Sequence, residues 1–314
     1  MATTTDSISV QAATQHPLPD YQPGQVLGGR FEIVEKLGEG MLGAVYKARI
    51  KGGGDCALKV LRRGLMAENT TIDRFNHSIQ EAQSVRHPNI VRVDETGEHD
   101  GHIFCTSELV QGRTLRDLLN DYRARSEDVP PREVFDVLSK VLDILSVAHP
   151  VLHRNLKPEN IAFVEKTGPD GKPFRDVKLL DFAVAQIIHP GAFENDNMSR
   201  EGAWYLAPEM GEFSAKADPS SDLYSVGAVL YQLLSGRMPF RGDSAVDTLM
   251  MQMTDPVPPL RDYAPRVSPR LAEIIESCLS ADPSGRPASA AELLPVFKSL
   301  ASPRPTSAVS PRCR

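Results

Sequence analysis

The chain has 314 residues, 41% of them hydrophobic and 24% charged, with a formal net charge of −6. That length can bury a large core and gives a prior of about two folding units, and the composition is that of a soluble globular protein. The acidic balance gives no reason for nucleic-acid binding, and four scattered cysteines (Cys56, Cys105, Cys278, Cys313) without CxxC spacing argue against a disulfide framework or a zinc site.

Residues 1–25 are rich in Thr, Gln and Pro with little apolar periodicity, so a disordered tail is expected there. They lack the basic region and apolar core of a signal peptide, which makes the cytoplasm the expected location. Phe31–Leu37, Ala44–Ala48 and Cys56–Leu61 read as short strands, the first two separated by a glycine-rich segment. Ile72, Phe75, Ile79, Ala82 and Val85 recur at three- and four-residue steps and so define one face of a helix. Ile90–Val93 and Ile103–Val110 complete an antiparallel sheet.

After Gly112 the pattern turns helical. Pro130 and Pro131 precede a helix carrying Val134, Val137, Leu138, Val141, Leu142 and Leu145, since a first turn tolerates proline. Leu223–Leu234 is apolar nearly all round, as a helix buried on every side should be. Ser220 or Ser221 is placed to cap it and Gly236 to end it. It is about half a membrane span and carries Ser225 and Gln232, so no membrane partner is expected. Residues 301–314 read as a second disordered tail. The expected fold is α+β, with a small sheet-rich lobe before a larger helical one.

Two motifs carry chemistry. In Gly38-Glu39-Gly40-Met41-Leu42-Gly43-Ala44-Val45 the glycines let backbone amides approach phosphates without side-chain obstruction. The segment lies between two strands, which favours a phosphate-covering flap over a dinucleotide-binding turn. Lys59 follows on the next strand and Glu81 on the next helix, the arrangement of an ion pair that holds α- and β-phosphates. Farther on, the run 153–160 reads His-Arg-Asn-Leu-Lys-Pro-Glu-Asn.

These elements, with Asp181-Phe182-Ala183, Ala207-Pro208-Glu209, Asp222 and Arg286, come in an order that resembles a Hanks-type serine/threonine protein kinase domain of bacterial style, from about Gly28 to Leu300. The resemblance implies a bilobal kinase domain over 26–300, with lobes at 28–110 and 111–300. It implies ATP and Mg2+ as ligands, with Asn160 and Asp181 as the oxygen donors a hard cation requires. Lys157 would neutralise the γ-phosphate. Val45 and Ala57 would cover the adenine and Ala162 would lie beneath it, where the family usually has a larger aliphatic. Ser107-Glu108-Leu109-Val110 would form the hinge, Ser107 being a small gatekeeper. Val85, His153 and Phe182 fit an interlobe spine, and equally an ordinary core. Glu209 with Arg286 would form a buried ion pair, and Asp222 would brace the loop 153–160.

Three departures cluster on phosphoryl transfer. Asn155 stands where the family has the aspartate that accepts the substrate hydroxyl's proton, and a carboxamide does not titrate near neutrality. Ala183 replaces a glycine, which should stiffen the segment. Glu201-Gly202 replaces Gly-Thr, whereas a single inactivating change in an active enzyme would leave 183 and 202 untouched. Ser199 is the only hydroxyl between Asp181 and Tyr205, so activation through a loop threonine is not available. The leading expectation is a pseudokinase that binds Mg·ATP and acts as scaffold or allosteric regulator of a protein partner, such as an active kinase or another signalling protein. A slow but genuine serine/threonine kinase and a nucleotide-free interaction module are the alternatives.

Overall fold

A computed structural model of the chain describes residues 18–40, 42–63, 72–149, 151–182, 184, 200–211 and 218–301. Alternating burial builds the small lobe. Strands β1 (Val26–Leu27), β2 (Phe31–Glu39), β3 (Gly43–Ile50), β4 (Asp55–Leu61), β5 (Val93–His99) and β6 (His102–Glu108) form one antiparallel sheet in the order β1-β2-β3-β4-β6-β5, with helix α1 (Ile72–Gln83) packed against it. Ala44, Tyr46 and Ala48 of β3 and Cys56, Leu58 and Val60 of β4 enter a buried cluster with Leu27, Phe31 and Ile33. Side chains alternate across a strand, so Val45, Ala57 and Lys59 occupy the opposite face, and the contact of Lys59 with Asp181 shows that this face looks at the large lobe.

The large lobe holds α2 (Leu115–Ala124), α3 (Pro131–Ala148), the hairpin β7 (Ile161–Thr167) and β8 (Pro173–Leu179), and then α4 (Arg200–Ala203), α5 (Pro219–Ser235), α6 (Ala245–Thr254), α7 (Leu260–Tyr263), α8 (Pro269–Cys278) and α9 (Ala290–Ala301). Pro131 opens α3 as expected. In α5 every residue from Ser220 to Leu233 is buried, and Gly236 ends the helix at φ +72°, a conformation glycine adopts without steric cost. The cap differs from the expectation. Asp218, not Ser220 or Ser221, accepts the Ser220 amide, and the Ser221 side chain returns to the Asp218 backbone as the second half of a capping box.

The lobes share a core, because Ala82, Val85 and Ile90 belong to the same buried cluster as Leu142, Leu179 and Phe182. Two boundaries depart from the sequence reading. The strand expected at Ile90–Val93 runs instead over Val93–His99. It is a polar edge strand with only Val93 buried, so it shows no apolar alternation, and Ile90 forms an isolated bridge to Leu179. Residues 18–25, expected within the first tail, pack on the sheet, where Tyr21 is buried edge-on to Tyr46 and the Tyr46 hydroxyl donates to Pro19 O at 3.0 Å. A single aromatic in a polar stretch has no periodicity to announce it. Residues 1–17 and 302–314 lie outside the described residues. Among the described residues no helix is long and apolar enough to cross a membrane.

Candidate functional site

The glycine-rich flap is the turn of the β2–β3 hairpin, closed by Gly40 N to Gly43 O at 2.9 Å. Its glycines do different work. A Cβ at Gly38 or Gly40 would meet nothing within 4 Å, leaving the backbone open to an approaching phosphate. Gly43 sits at φ +152°, where a Cβ would lie 1.9 Å from Val60 O of β4. It is therefore required by strand packing, a constraint additional to the phosphate approach expected of it. Gly43→Ala should cost about 2–3 kcal/mol in urea unfolding, whereas Gly38→Ala should cost less than about 1 kcal/mol. Leu42, at the tip, is buried in a cluster with Leu61, Phe75 and Ile79.

Beneath the flap, Lys59 Nζ is ion-paired with Asp181 Oδ2, both side chains mostly buried. Glu81 lies on α1, but its side chain is outside the described residues, so the expected Lys59–Glu81 pair is not described either. Asp181 has φ +57° and Arg154 has φ +60°, left-handed conformations that non-glycine residues rarely adopt and that concentrate at functional sites. The loop 153–160 is held from behind. Asp222 accepts the amides of His153 at 2.7 Å and Arg154 at 2.9 Å, and its burial raises the carboxyl pKa. His153 is fully buried edge-on to Phe182, 5.5 Å between rings, and burial lowers its pKa so that the ring packs as neutral imidazole. From the front, Asn160 Nδ2 donates to the backbone oxygen of Asn155 at 2.7 Å. Asn160 Oδ1 takes no part in that bond, and it and the Asp181 carboxylate are oxygen ligands of the kind a hard cation such as magnesium accepts. No group of three or more His, Cys, Asp or Glu among the described residues could hold a metal alone. Burial also holds the Lys157 ammonium below its ordinary pKa, against the pull of Glu159 and Asp181.

Ala162 is buried, while Val45, Ala57, Ser107 and Val110 are half-buried, the exposure expected of groups lining a cleft. Ala57 pairs with Ser107 across β4 and β6, so the positions expected to be gatekeeper and ceiling are neighbours.

Residues 31–296 match the profile described as protein kinase domain. The chain belongs to the protein kinase family. It is 35% identical over 286 residues to the serine/threonine-protein kinase pkn3 of Myxococcus xanthus, covering 87% of this chain and 50% of that protein. To the serine/threonine-protein kinase PrkC of Bacillus subtilis it is 30% identical over 266 residues, covering 84% of this chain and 39% of that one. The chain thus spans half or less of these curated relatives. The crystal structure of the Mycobacterium tuberculosis PknI kinase domain superposes with a TM-score of 0.66 at 24% identity, covering 90% of this chain and all of that one, and so shares the fold.

Within this kinase fold, Arg286 and Glu209 form the expected ion pair as a two-pronged contact at 2.7 and 2.8 Å. The position of Ala183 and the segment around Ser199 lie outside the described residues, while Gly202 follows α4's first residues without a hydroxyl to offer. Sequence reasoning missed a network beside the catalytic loop. Arg116 of α2 bonds Glu159 at 2.9 Å and the Tyr205 hydroxyl at 2.8 Å, and that hydroxyl donates to Gln232 of α5 at 2.7 Å. Burial pushes the Tyr205 pKa up to about 12, so the phenol stays protonated as donor. Its members lie far apart in sequence, and no local spacing could have revealed them. The cysteine thiols at 56, 105 and 278 are buried and free, pushed up to about 11, 12 and 12, which makes them inert.

Proposed function

We propose that this domain binds Mg·ATP between its lobes and acts through the closed conformation that nucleotide stabilises, as a pseudokinase that scaffolds or regulates a protein partner. The observation that carries this is the contrast at residue 155. Both brackets of the loop are in place, Asp222 behind and Asn160 in front, yet the side chain they position is a carboxamide. Loss of a general base removes about 10²–10⁴ in rate, while Lys59, Asn160 and Asp181 supply the groups that bind triphosphate and metal. Asn160 and Asp181 would hold magnesium, which would supply positive charge to offset the triphosphate. The chain's own residues then divide the work: Lys59 meets the α- and β-phosphates, Lys157 the γ-phosphate, and the Gly38–Gly40 backbone covers them.

The names of the relatives fit a second reading at least as well, a slow but genuine serine/threonine kinase in which water or another carboxylate relays the hydroxyl proton. Both readings predict that saturating Mg·ATP raises the melting temperature by about 5 °C or more, since ligand at 100 times Kd stabilises by about 2.7 kcal/mol. A melting curve that does not move with nucleotide and magnesium would leave only an interaction module. Transfer of radiolabelled phosphate to the domain itself or to a generic acceptor would decide for the kinase.

A further inference from the structure

The base site has a residue that no motif announces. In the β7–β8 hairpin Ala162 lies directly opposite Lys178, so the two side chains leave the same face, their Cβ atoms about 5 Å apart. The other face is spoken for, because Ile161, Phe163, Val177 and Leu179 all enter the large-lobe core. Ala162 is only 2% exposed and yet stands outside that cluster, and its backbone bridges to Thr114 just past the hinge. Lys178 crosses this face and ends in an ion pair with Glu108, the hinge residue at the end of β6. Its side chain is 17% exposed, so most of the stem is covered.

We propose that Lys178 is a nucleotide-base residue: its methylene stem, laid beside the small Ala162, completes the apolar surface under the purine, and Glu108 holds the ammonium at the hinge edge, away from the base. The inference rests on the nucleotide-binding reading above and adds the residue that compensates for alanine at 162. Lysine stems commonly cover apolar surface while the charged head is held elsewhere. The volume that alanine at 162 removes from the floor is thereby returned from the neighbouring strand, and the Glu108–Lys178 pair becomes part of base recognition.

The test is calorimetric titration of the whole chain with Mg·ATP and, separately, with magnesium and inorganic triphosphate, which carries the phosphates but no base. Lys178→Ala should weaken ATP about tenfold, the worth of two or so buried methylenes, and should change triphosphate affinity by less than about twofold. Lys178→Met, which keeps an unbranched stem, should lose clearly less than the alanine variant. Adding Ala162→Leu to Lys178→Ala should recover most of the lost ATP affinity, because a larger aliphatic then fills the floor from its own strand. Unchanged ATP affinity in a folded Lys178→Ala variant overturns the role of Lys178, as does equal weakening of ATP and triphosphate. Absence of any heat from the wild-type chain with Mg·ATP overturns the nucleotide-binding reading itself.

Discussion

Asn155→Asp is expected to raise phosphate incorporation by about 10² or more over the wild-type chain, read as radiolabel transferred from γ-labelled ATP. The size follows from how little else must change. The backbone of residue 155 already sits between the Asn160 carboxamide and the Asp222-braced amides, so a carboxylate there inherits its position without rebuilding the loop. On the nucleotide-binding reading proposed above, Lys157, two residues on, supplies the charge that the transferred phosphoryl needs. The gain should fall short of a full kinase because Gly202 lacks the threonine hydroxyl that supports the base. Lys59→Met in the same background should return incorporation to the blank, since the lysine proposed to meet the phosphates is then gone. If the wild type transfers phosphate well above the blank and as fast as Asn155→Asp, residue 155 does not limit the reaction, and the pseudokinase reading loses its ground.

Arg286→Ala should be the most destabilising single change, costing about 3–5 kcal/mol and lowering the melting temperature by about 10 °C. The Arg286 side chain is wholly buried and that of Glu209 is 12% exposed. The guanidinium serves Glu209 with two nitrogens and also donates to the carbonyls of Ser220, Ser280 and Ala281. Its removal strands the Glu209 carboxylate and three carbonyls together. Among the described residues Glu209 then retains the Ser221 hydroxyl at 2.6 Å, which cannot neutralise it. Arg286→Lys should recover little, because an ammonium cannot reach that fan of acceptors. Replacing both partners, Arg286→Met with Glu209→Leu, should recover part of the loss by leaving no unpaired charge. A single variant that melts within a degree or two of wild type would show that the pair is energetically idle.

The parts of this domain that could be read from sequence are those where chemistry or periodicity is local. The flap glycines, Lys59, the run 153–160 and the all-apolar helix 219–235 each carry their signal within a few residues of themselves. Even there, the packing constraint on Gly43 is invisible in the sequence, because its conflict with Val60 O comes from a strand that only the folded sheet brings near. What stayed hidden was polar or distant. The edge strand Val93–His99 has one buried apolar residue, so nothing alternates. The hairpin at 161–179 is recognisable only through its pairing, and Lys178 reaches Glu108 across a sequence gap that no spacing rule spans. Arg116, Glu159, Tyr205 and Gln232 come from four separate segments. The tyrosine at 21 is tied down by a partner hydroxyl on β3, a contact with no counterpart in composition.

Both clamps on residue 155 and its neighbours grip main-chain atoms: Asn160 holds a carbonyl and Asp222 holds two amides. Main-chain clamps are blind to what side chain hangs between them, so exchanging carboxylate for carboxamide leaves the scaffold mechanically undisturbed. Aspartate and asparagine codons differ by a single transition. A lineage carrying this architecture can therefore exchange base for amide at residue 155 in one mutational step without rebuilding the loop, while the departures at Ala183 and Gly202 are separate steps.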